Sequence, residues 1–321
     1  MSSDSNFEEP LERVRARLKE LSGFPDSPAK QREIQKLEGK LRKLAEEIYE
    51  NLSPWQKTLV ARHPSRPFSL DYVRLLVRDF VEWHGDRAFA DDPAIVAGFG
   101  FLGDQAVAIV GQQKGRDTKE KIHRNFGMPR PEGYRKALRV MKLAEKFRRP
   151  VLTFIDTPGA YPGMDSEERG VSEAIARNLL EMSLLKTPIV ATVIGEGGSG
   201  GALGIGVADV VLMLEHSVYS VISPEGCAAI LWKDQARARE AAEAMRVTAA
   251  DCKALGVADE VIPEPPGGAH ADPVATIDSV GRALRAHLGR LASVPPDELL
   301  AARYAKFRAM GTFEGAAAAA R

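Results

Sequence analysis

The residues with the clearest chemical potential lie at 188–208, in the string PIVATVIGEGGSGGALGIGVA, where five of the seven residues 195–201 are glycine. Without Cβ atoms, Gly195, Gly197, Gly198, Gly200 and Gly201 permit φ > 0 and let a ligand approach the main chain closely. The β-branched run 189–194 before them predicts a buried strand, and the small residues from Ala202 onward predict a helix. The first turn of such a helix offers N–H groups with no intrahelical acceptor, backed by the positive end of the helix dipole. The combination predicts an anion or oxyanion site made of backbone, with the amides of Gly200 and Gly201 as donors. A pair of glycines would do no more than allow a tight crossover, and five in seven exceed that need.

Nucleotide loops are poorly supported by this string. No Gly-Lys-Ser/Thr closes it as a phosphate-binding loop requires, and the GxGxxG spacing at Gly195, Gly197 and Gly200 is by itself a weak signal. It does satisfy GxSxG through Gly197, Ser199 and Gly201, so a serine hydrolase with Ser199 as nucleophile is the rival reading. That chemistry needs a base, and nothing marks Asp209, Asp234, His216 or His270 for the role. A second loop, TPGAYPG at 157–163, follows the predicted strand 151–156. If the two strands are adjacent and parallel, both loops emerge on one sheet edge. Gly159, Ala160, Tyr161 and Gly163 then share a substrate crevice with Gly197, Gly198 and Ser199. Asp156 and Glu196 are the carboxylates these loops present. The six histidines (His63, His84, His123, His216, His270 and His287) show no metal-ligand spacing and read as surface or capping residues, so no metal site is expected.

The elements that must position these loops follow from periodicity. Leu11, Val14, Leu18 and Leu21, then Ile34, Leu37, Leu41, Leu44 and Ile48, form two heptad seams separated by Gly23, Pro25, Ser27 and Pro28, which predicts an antiparallel helical arm. Pro54 opens a helix toward His63. Ser69 caps another, expected to carry Tyr72, Leu75, Leu76, Phe80 and Trp83. Residues 95–102 and 105–111 alternate as strands around Gly103 and Asp104, a hairpin signal. A helix is expected over 131–148 with Tyr134, Leu138, Met141 and Ala144 buried, and another on Ile175, Leu179, Met182 and Leu185. Short strands at 210–214 and 218–222 precede a helix opened by Ser223 and Pro224. The Pro/Gly-rich segment 263–273 reads as a boundary before two amphipathic helices, and 315–321 as a frayed end. The expected division is an arm (1–62), a core (63–262) and a C-terminal helical region (263–321).

Composition narrows the class. Lys plus Arg equals Asp plus Glu, 44 each, which argues against general nucleic-acid or membrane binding. Cys227 and Cys252 make no CxxC pattern, so a reducing, cytoplasmic setting without zinc on this chain is expected. No apolar run approaches the length of a membrane span.

Five strings taken together resemble the α subunit family of the bacterial and plastid acetyl-CoA carboxylase carboxyltransferase. They are RHPSRPFSLDYVR at 62–74, KGRDTKEKIHRNFGMPRPEGYRKALR at 114–139, FIDTPGAYPG at 154–163, GEGGSGGAL at 195–203 and SVISPEGCAAILW at 220–232. The resemblance implies an α/β, crotonase-like (ClpP/crotonase) fold, a ββα superhelix with a helical N-terminal arm and C-terminal helices. It implies transfer of a carboxyl group from carboxybiotin, delivered on a biotin carboxyl carrier protein, to acetyl-CoA, giving malonyl-CoA for fatty-acid synthesis. Biotin and acetyl-CoA would be substrates, with no cofactor bound covalently. It further implies an α2β2 assembly whose β subunit carries the zinc, with biotin carboxylase elsewhere in the complex. In that setting the hole on this chain serves the ureido oxygen of biotin, and Lys114, Arg116 and Lys119 suit coenzyme A phosphates or an acidic carrier. Lys142 in VMKL lies in a predicted helix, not on the hairpin turn a biotinylation site needs. Two further readings stay open: a non-catalytic scaffold for β, and a stand-alone acyl-CoA hydratase or isomerase using Asp156 and Glu196.

Overall fold

The computed structural model describes residues 6–311. The end segment 315–321 lies outside them. Helices α1 (Glu9–Ser22) and α2 (Pro28–Glu50) form the arm, with Ser27 Oγ accepting the Lys30 N–H at 3.1 Å and Pro28 at N1. Then come α3 (Pro54–Ala61), α4 (Ser69–Leu76), β1 (Val77–Glu82), β2 (Ile95–Leu102), β3 (Gln105–Gln112), α5 (Thr118–His123) and α6 (Pro131–Lys146). The centre of the chain contributes β4 (Val151–Thr157), α7 (Met164–Glu168), α8 (Val171–Leu184), β5 (Ile189–Gly198), α9 (Ser199–Leu203), β6 (Val210–Leu214) and β7 (Val218–Ser220). α10 (Pro224–Trp232), α11 (Ala238–Met245), α12 (Ala249–Ala254), β8 (Glu260–Ile262), α13 (Pro273–Leu291) and α14 (Pro296–Arg308) complete it.

One sheet runs in the order β1-β2-β3-β4-β5-β6-β8, with β7 paired to the end of β5. β1, β2 and β3 are antiparallel neighbours; from β3 onward the pairings are parallel. Helices cover both faces, as a parallel sheet requires. On one, Ala137, Val140, Met141 and Ala144 of α6 and Met182 of α8 pack on Ile155, Ala191 and Val193. On the other, Tyr72 of α4 and Ile277, Val280 and Leu284 of α13 pack on Phe154, Val190 and Ile194. The α6 stripe is rotated slightly from expectation: Leu138 is half-buried, and Ala137 and Val140 take the core positions.

The helical period expected to run through Phe80 and Trp83 stops at Leu76. The β2 edge supplies ladder partners from Val77↔Leu102 to Glu82↔Gly98, and pairing with it overrides local propensity. Phe80 and Trp83, an odd number of residues apart, accordingly pack on opposite faces of the sheet. The strand expected at 218–222 ends at Ser220.

Two buried arginines tie remote segments. Arg66 grips Glu264 at 2.9 and 2.7 Å and donates to the Ile194 carbonyl. Arg303 of α14 meets both oxygens of Asp209 at 2.8 Å and donates to the carbonyls of Met182, Leu185 and Thr187. No helix among the described residues is long and apolar enough to cross a membrane.

Candidate functional site

β4 and β5 are adjacent and parallel, so the loops that follow them leave the same edge of the sheet. Their register slips near that edge. Ile155 pairs with Val193, but Thr157 pairs with Gly197, so β5 carries two extra residues. On the other side of β4, pairing with β3 ends at Gly111↔Phe154, and side chains satisfy main-chain groups that both ladders leave over. The Asp156 N–H donates to Gln112 Oε1 at 3.0 Å, and the Glu196 N–H donates to Asp156 Oδ1 at 3.0 Å.

The glycine segment differs from its expected form. Gly195, Gly197 and Gly198 belong to β5, and the turn is concentrated at Ser199, φ 52°. The helix starts there and not at Ala202, and α9 is a single turn. Close approach explains the glycines better than unusual torsions do. A Cβ at Gly198 would stand 2.2 Å from the Pro158 carbonyl oxygen, and one at Gly201 2.4 Å from Gly159 C and 2.6 Å from Ala160 N. A Cβ at Gly195 would meet Asp156 Oδ1 at 2.5 Å, and one at Gly197 the Tyr219 ring at 2.8 Å. Gly200 has room, with Ile175 Cδ1 at 3.6 Å.

The structure therefore brings Gly198 and Gly201 against Pro158, Gly159 and Ala160, with Ser199 and Gly200 half-buried at the surface. Tyr161 is held by its N–H on the Pro129 carbonyl, with the Arg130 guanidinium 4.5 Å over its ring. Gly163 caps α7, tight against Tyr161.

Asp156 and Glu196 are buried but already matched by cations. Lys114 Nζ lies 2.7 Å from Asp156 Oδ1 and 3.9 Å from Glu196 Oε2. Arg62 Nε lies 2.7 Å from Glu196 Oε1, and its Nη1 2.6 Å from Glu225. Burial alone would lower the Arg62 pKa, yet Glu196 and Glu225 raise it. Burial favours the neutral form of Glu225, and the Arg62 hydrogen bonds outweigh it and hold the carboxyl low. Neither loop carboxylate stands free as a general acid or base. The three basic residues separate: Lys114 joins this network, Arg116 stacks over Phe68 and bonds the Pro64 and Arg66 carbonyls, and Lys119 is exposed. No histidine or carboxylate pairs with Ser199 Oγ among the described residues, so the elbow-like turn lacks a triad.

The histidines depart from expectation. His216 and His287 are buried, and His63 stacks on His270 at 3.8 Å beside Glu8. Glu8, His63 and His270 offer ligand atoms within 4.8 Å of one another. The stack opposes metal binding, because rings with centroids 3.8 Å apart and planes only 21° from parallel lie face to face, whereas two imidazoles sharing one ion must each hold it in the ring plane at about 2.1 Å from a nitrogen. The cluster instead latches the arm to the core, with the Tyr49 hydroxyl donating to Glu8 at 2.6 Å.

Arg62 and Gln112 carried no functional reading in the sequence, and Tyr134 only that of a core residue. Gln112 and Tyr134 both donate to the Gly201 carbonyl, at 2.7 and 3.2 Å. A 310 Å³ apolar hollow opens beside Ser199, lined by Leu203, Tyr219, Val221 and Phe307. A larger one, 680 Å³, lies at the opposite end of the sheet near Pro150 and Pro188, away from the loops.

Residues 4–311 match the family described as acetyl co-enzyme A carboxylase carboxyltransferase-like. The acetyl-coenzyme A carboxylase carboxyl transferase subunit alpha of Methylococcus capsulatus is 57% identical over 311 residues, covering 96% of this chain and 97% of that one. Its counterpart from Xanthomonas axonopodis pv. citri is 56% identical over 316 residues, covering 97% and 98%. Among solved structures, transcarboxylase 12S superposes with a TM-score of 0.58 at 20% identity, over 71% of this chain and 42% of that one. The β subunit of geranyl-CoA carboxylase from P. aeruginosa gives 0.53 at 17% identity, over 82% and 47%. At such identities these two show the fold, which is crotonase-like.

Proposed function

The chain belongs to the acetyl-CoA carboxylase carboxyltransferase α-subunit family, and from that premise we propose how its residues serve carboxyl transfer. It acts with a β subunit, moving the carboxyl group of carboxybiotin to acetyl-CoA to give malonyl-CoA. The observation that carries the residue assignment is the contact of Gly198 and Gly201 with Pro158, Gly159 and Ala160 at the carboxyl ends of adjacent parallel strands.

Carboxybiotin supplies an activated carboxyl on a ureido nitrogen, and its transfer to the carbon next to a thioester builds negative charge on two oxygens. The Gly200 and Gly201 amides, in the first turn of α9, serve the ureido oxygen on this chain. Loss of one such donor costs about 3 to 4 kcal/mol of transition-state stabilisation. The β subunit serves the thioester oxygen. No side-chain base is assigned here, because Asp156 and Glu196 are held by Lys114 and Arg62. Gly159, Ala160, Tyr161 and Gly163 shape the opposite wall with Gly197, Gly198 and Ser199. Lys114 steadies the wall through Asp156; Arg116 is committed to the 64–71 segment, which leaves Lys119 for phosphate or carrier contact.

The wider assembly in this proposal is α2β2, with zinc on β, meeting the biotin carboxyl carrier protein and biotin carboxylase. The arm (1–62) and the C-terminal region (263–321) serve assembly around the core (63–262). Two unpaired cysteines suit a reducing cytoplasm. The test is conversion of malonyl-CoA to acetyl-CoA with a free biotin derivative as acceptor, by this chain alone and then with β. Activity confined to the mixture supports the reading. Hydrolysis or hydration of acyl-CoA by the chain alone overturns it.

A further inference from the structure

We infer that Gln112 is the positioning residue that aims the Gly200 and Gly201 amides, by clamping the two active loops to each other from beneath. Its side chain is fully buried and makes two main-chain hydrogen bonds, one to each loop. Oε1 accepts the Asp156 N–H at 3.0 Å, at the root of the 157–163 loop. Nε2 donates to the Gly201 carbonyl at 2.7 Å, within the glycine segment. Both partners are backbone groups of fixed sense, so the amide has one orientation that satisfies them.

Each bond answers a specific deficit. The ladder between β3 and β4 ends at Gly111↔Phe154, so the Asp156 N–H, which faces β3, finds no main-chain acceptor, and burial makes an unmade bond there costly. α9 has five residues, too few to stabilise its own turn, so its shape depends on outside contacts. Gln112 from β3 and Tyr134 from α6 hold the Gly201 carbonyl, and Asn178 from α8 holds the Gly204 carbonyl at 2.8 Å. In a helical turn carbonyls and amides point in opposite directions along the axis. Anchoring the carbonyl end therefore directs the amides of Gly200 and Gly201 away from the core. Lys114, two residues beyond Gln112, grips the Asp156 side chain, so the end of β3 fixes that residue through both its main chain and its carboxylate.

The inference rests on the carboxyltransferase reading, and its test uses the assembled α and β subunits. Gln112→Met keeps the length and removes both hydrogen bonds. It is expected to lower kcat by about ten- to a hundredfold through displaced amides, with KM for the acyl-CoA within about twofold of wild type. Gln112→Glu gives a signature that packing alone would not. When protonated, the carboxyl donates to the Gly201 carbonyl and accepts from Asp156, as the amide does; when ionised, it turns an acceptor toward that carbonyl. Burial raises the pKa of the introduced carboxyl, so its kcat relative to wild type is expected to rise as pH falls. A kcat for Gln112→Met within twofold of wild type, a loss confined to KM, or a Gln112→Glu profile parallel to wild type overturns the inference. If Gln112→Met fails to assemble with β, the Gln112→Glu profile decides. Absence of transfer by the wild-type pair would instead overturn the carboxyltransferase reading itself.

Discussion

Gly201→Ala is the most informative single change. Alanine suits a helical turn better than glycine by about 1 kcal/mol, and the change keeps the N–H, so neither propensity nor a lost donor enters. What enters is one methyl group 2.4 Å from Gly159 C and 2.6 Å from Ala160 N, where ordinary contact begins near 3.4 Å. The 157–163 loop and α9 must part by about 1 Å, a displacement that lowers kcat by about 100-fold, or roughly 2.7 kcal/mol. Gly200→Ala places its methyl 3.6 Å from Ile175 Cδ1 and should lose only a few-fold. Both variants would be assembled with β and assayed for conversion of malonyl-CoA to acetyl-CoA with a free biotin acceptor, with complex formation checked by size exclusion. Equal losses at 200 and 201, or a Gly201→Ala variant within threefold of wild type, would refute the view that loop contact sets the geometry.

Other outcomes follow from the same contacts. Ser199→Ala should lower kcat less than tenfold, whereas a nucleophile would lose at least a thousandfold; steady-state kinetics of the complex decide. Lys114→Met leaves Asp156 charged and nearly buried, and should destabilise the chain by about 2 to 3 kcal/mol in urea melts, the low end because Lys114 still reaches solvent. The double variant with Asp156→Asn should recover part of that loss. Burial, then His270, pushes His63 down from 6.5 to about 4. Below 6.5 the unfolded chain takes up a proton that the folded chain refuses, so stability should fall by about 1 kcal/mol per pH unit toward pH 4. Glu8, held at about 2 against burial by His270 and Tyr49, extends the decline into stronger acid as its folded form protonates. Melts from about pH 7.5 to 2.5 test this, and His63→Phe should flatten the upper part of the slope.

Much of the frame was legible because its signals are local. Ser27 and Pro28, Gly103 and Asp104, and the apolar runs before both glycine-bearing loops each fix an element through neighbours in sequence. The errors share a cause. β1 forms because β2 offers an edge that no local period reveals, and β5 runs on to Gly198 because β7 pairs with residues expected to turn. The loop glycines announced close approach, but not what approaches, which proves to be the other loop. Gln112 was invisible for a similar reason. A lone glutamine at a strand end carries no periodic signal, and its role appears only once the end of the ladder between β3 and β4 leaves an amide beside it. His63, His270 and Glu8 are far apart in the chain, and only the packed arm makes them neighbours.

The Arg303 contacts bear on the order in which this chain is made. Asp209 and the carbonyls of Met182, Leu185 and Thr187 lie near the middle of the sequence, and their partner is near its end. A ribosome adding about 5 to 20 residues per second leaves that carboxylate waiting through 94 further residues and those carbonyls through 116 to 121, for about 5 to 25 seconds. Until α14 emerges, the connection between α8 and β5 cannot close dry. A chain broken off before Arg303 therefore keeps a hydrated seam beside the strand that carries the glycine segment, and remains distinguishable to proteases from a finished copy.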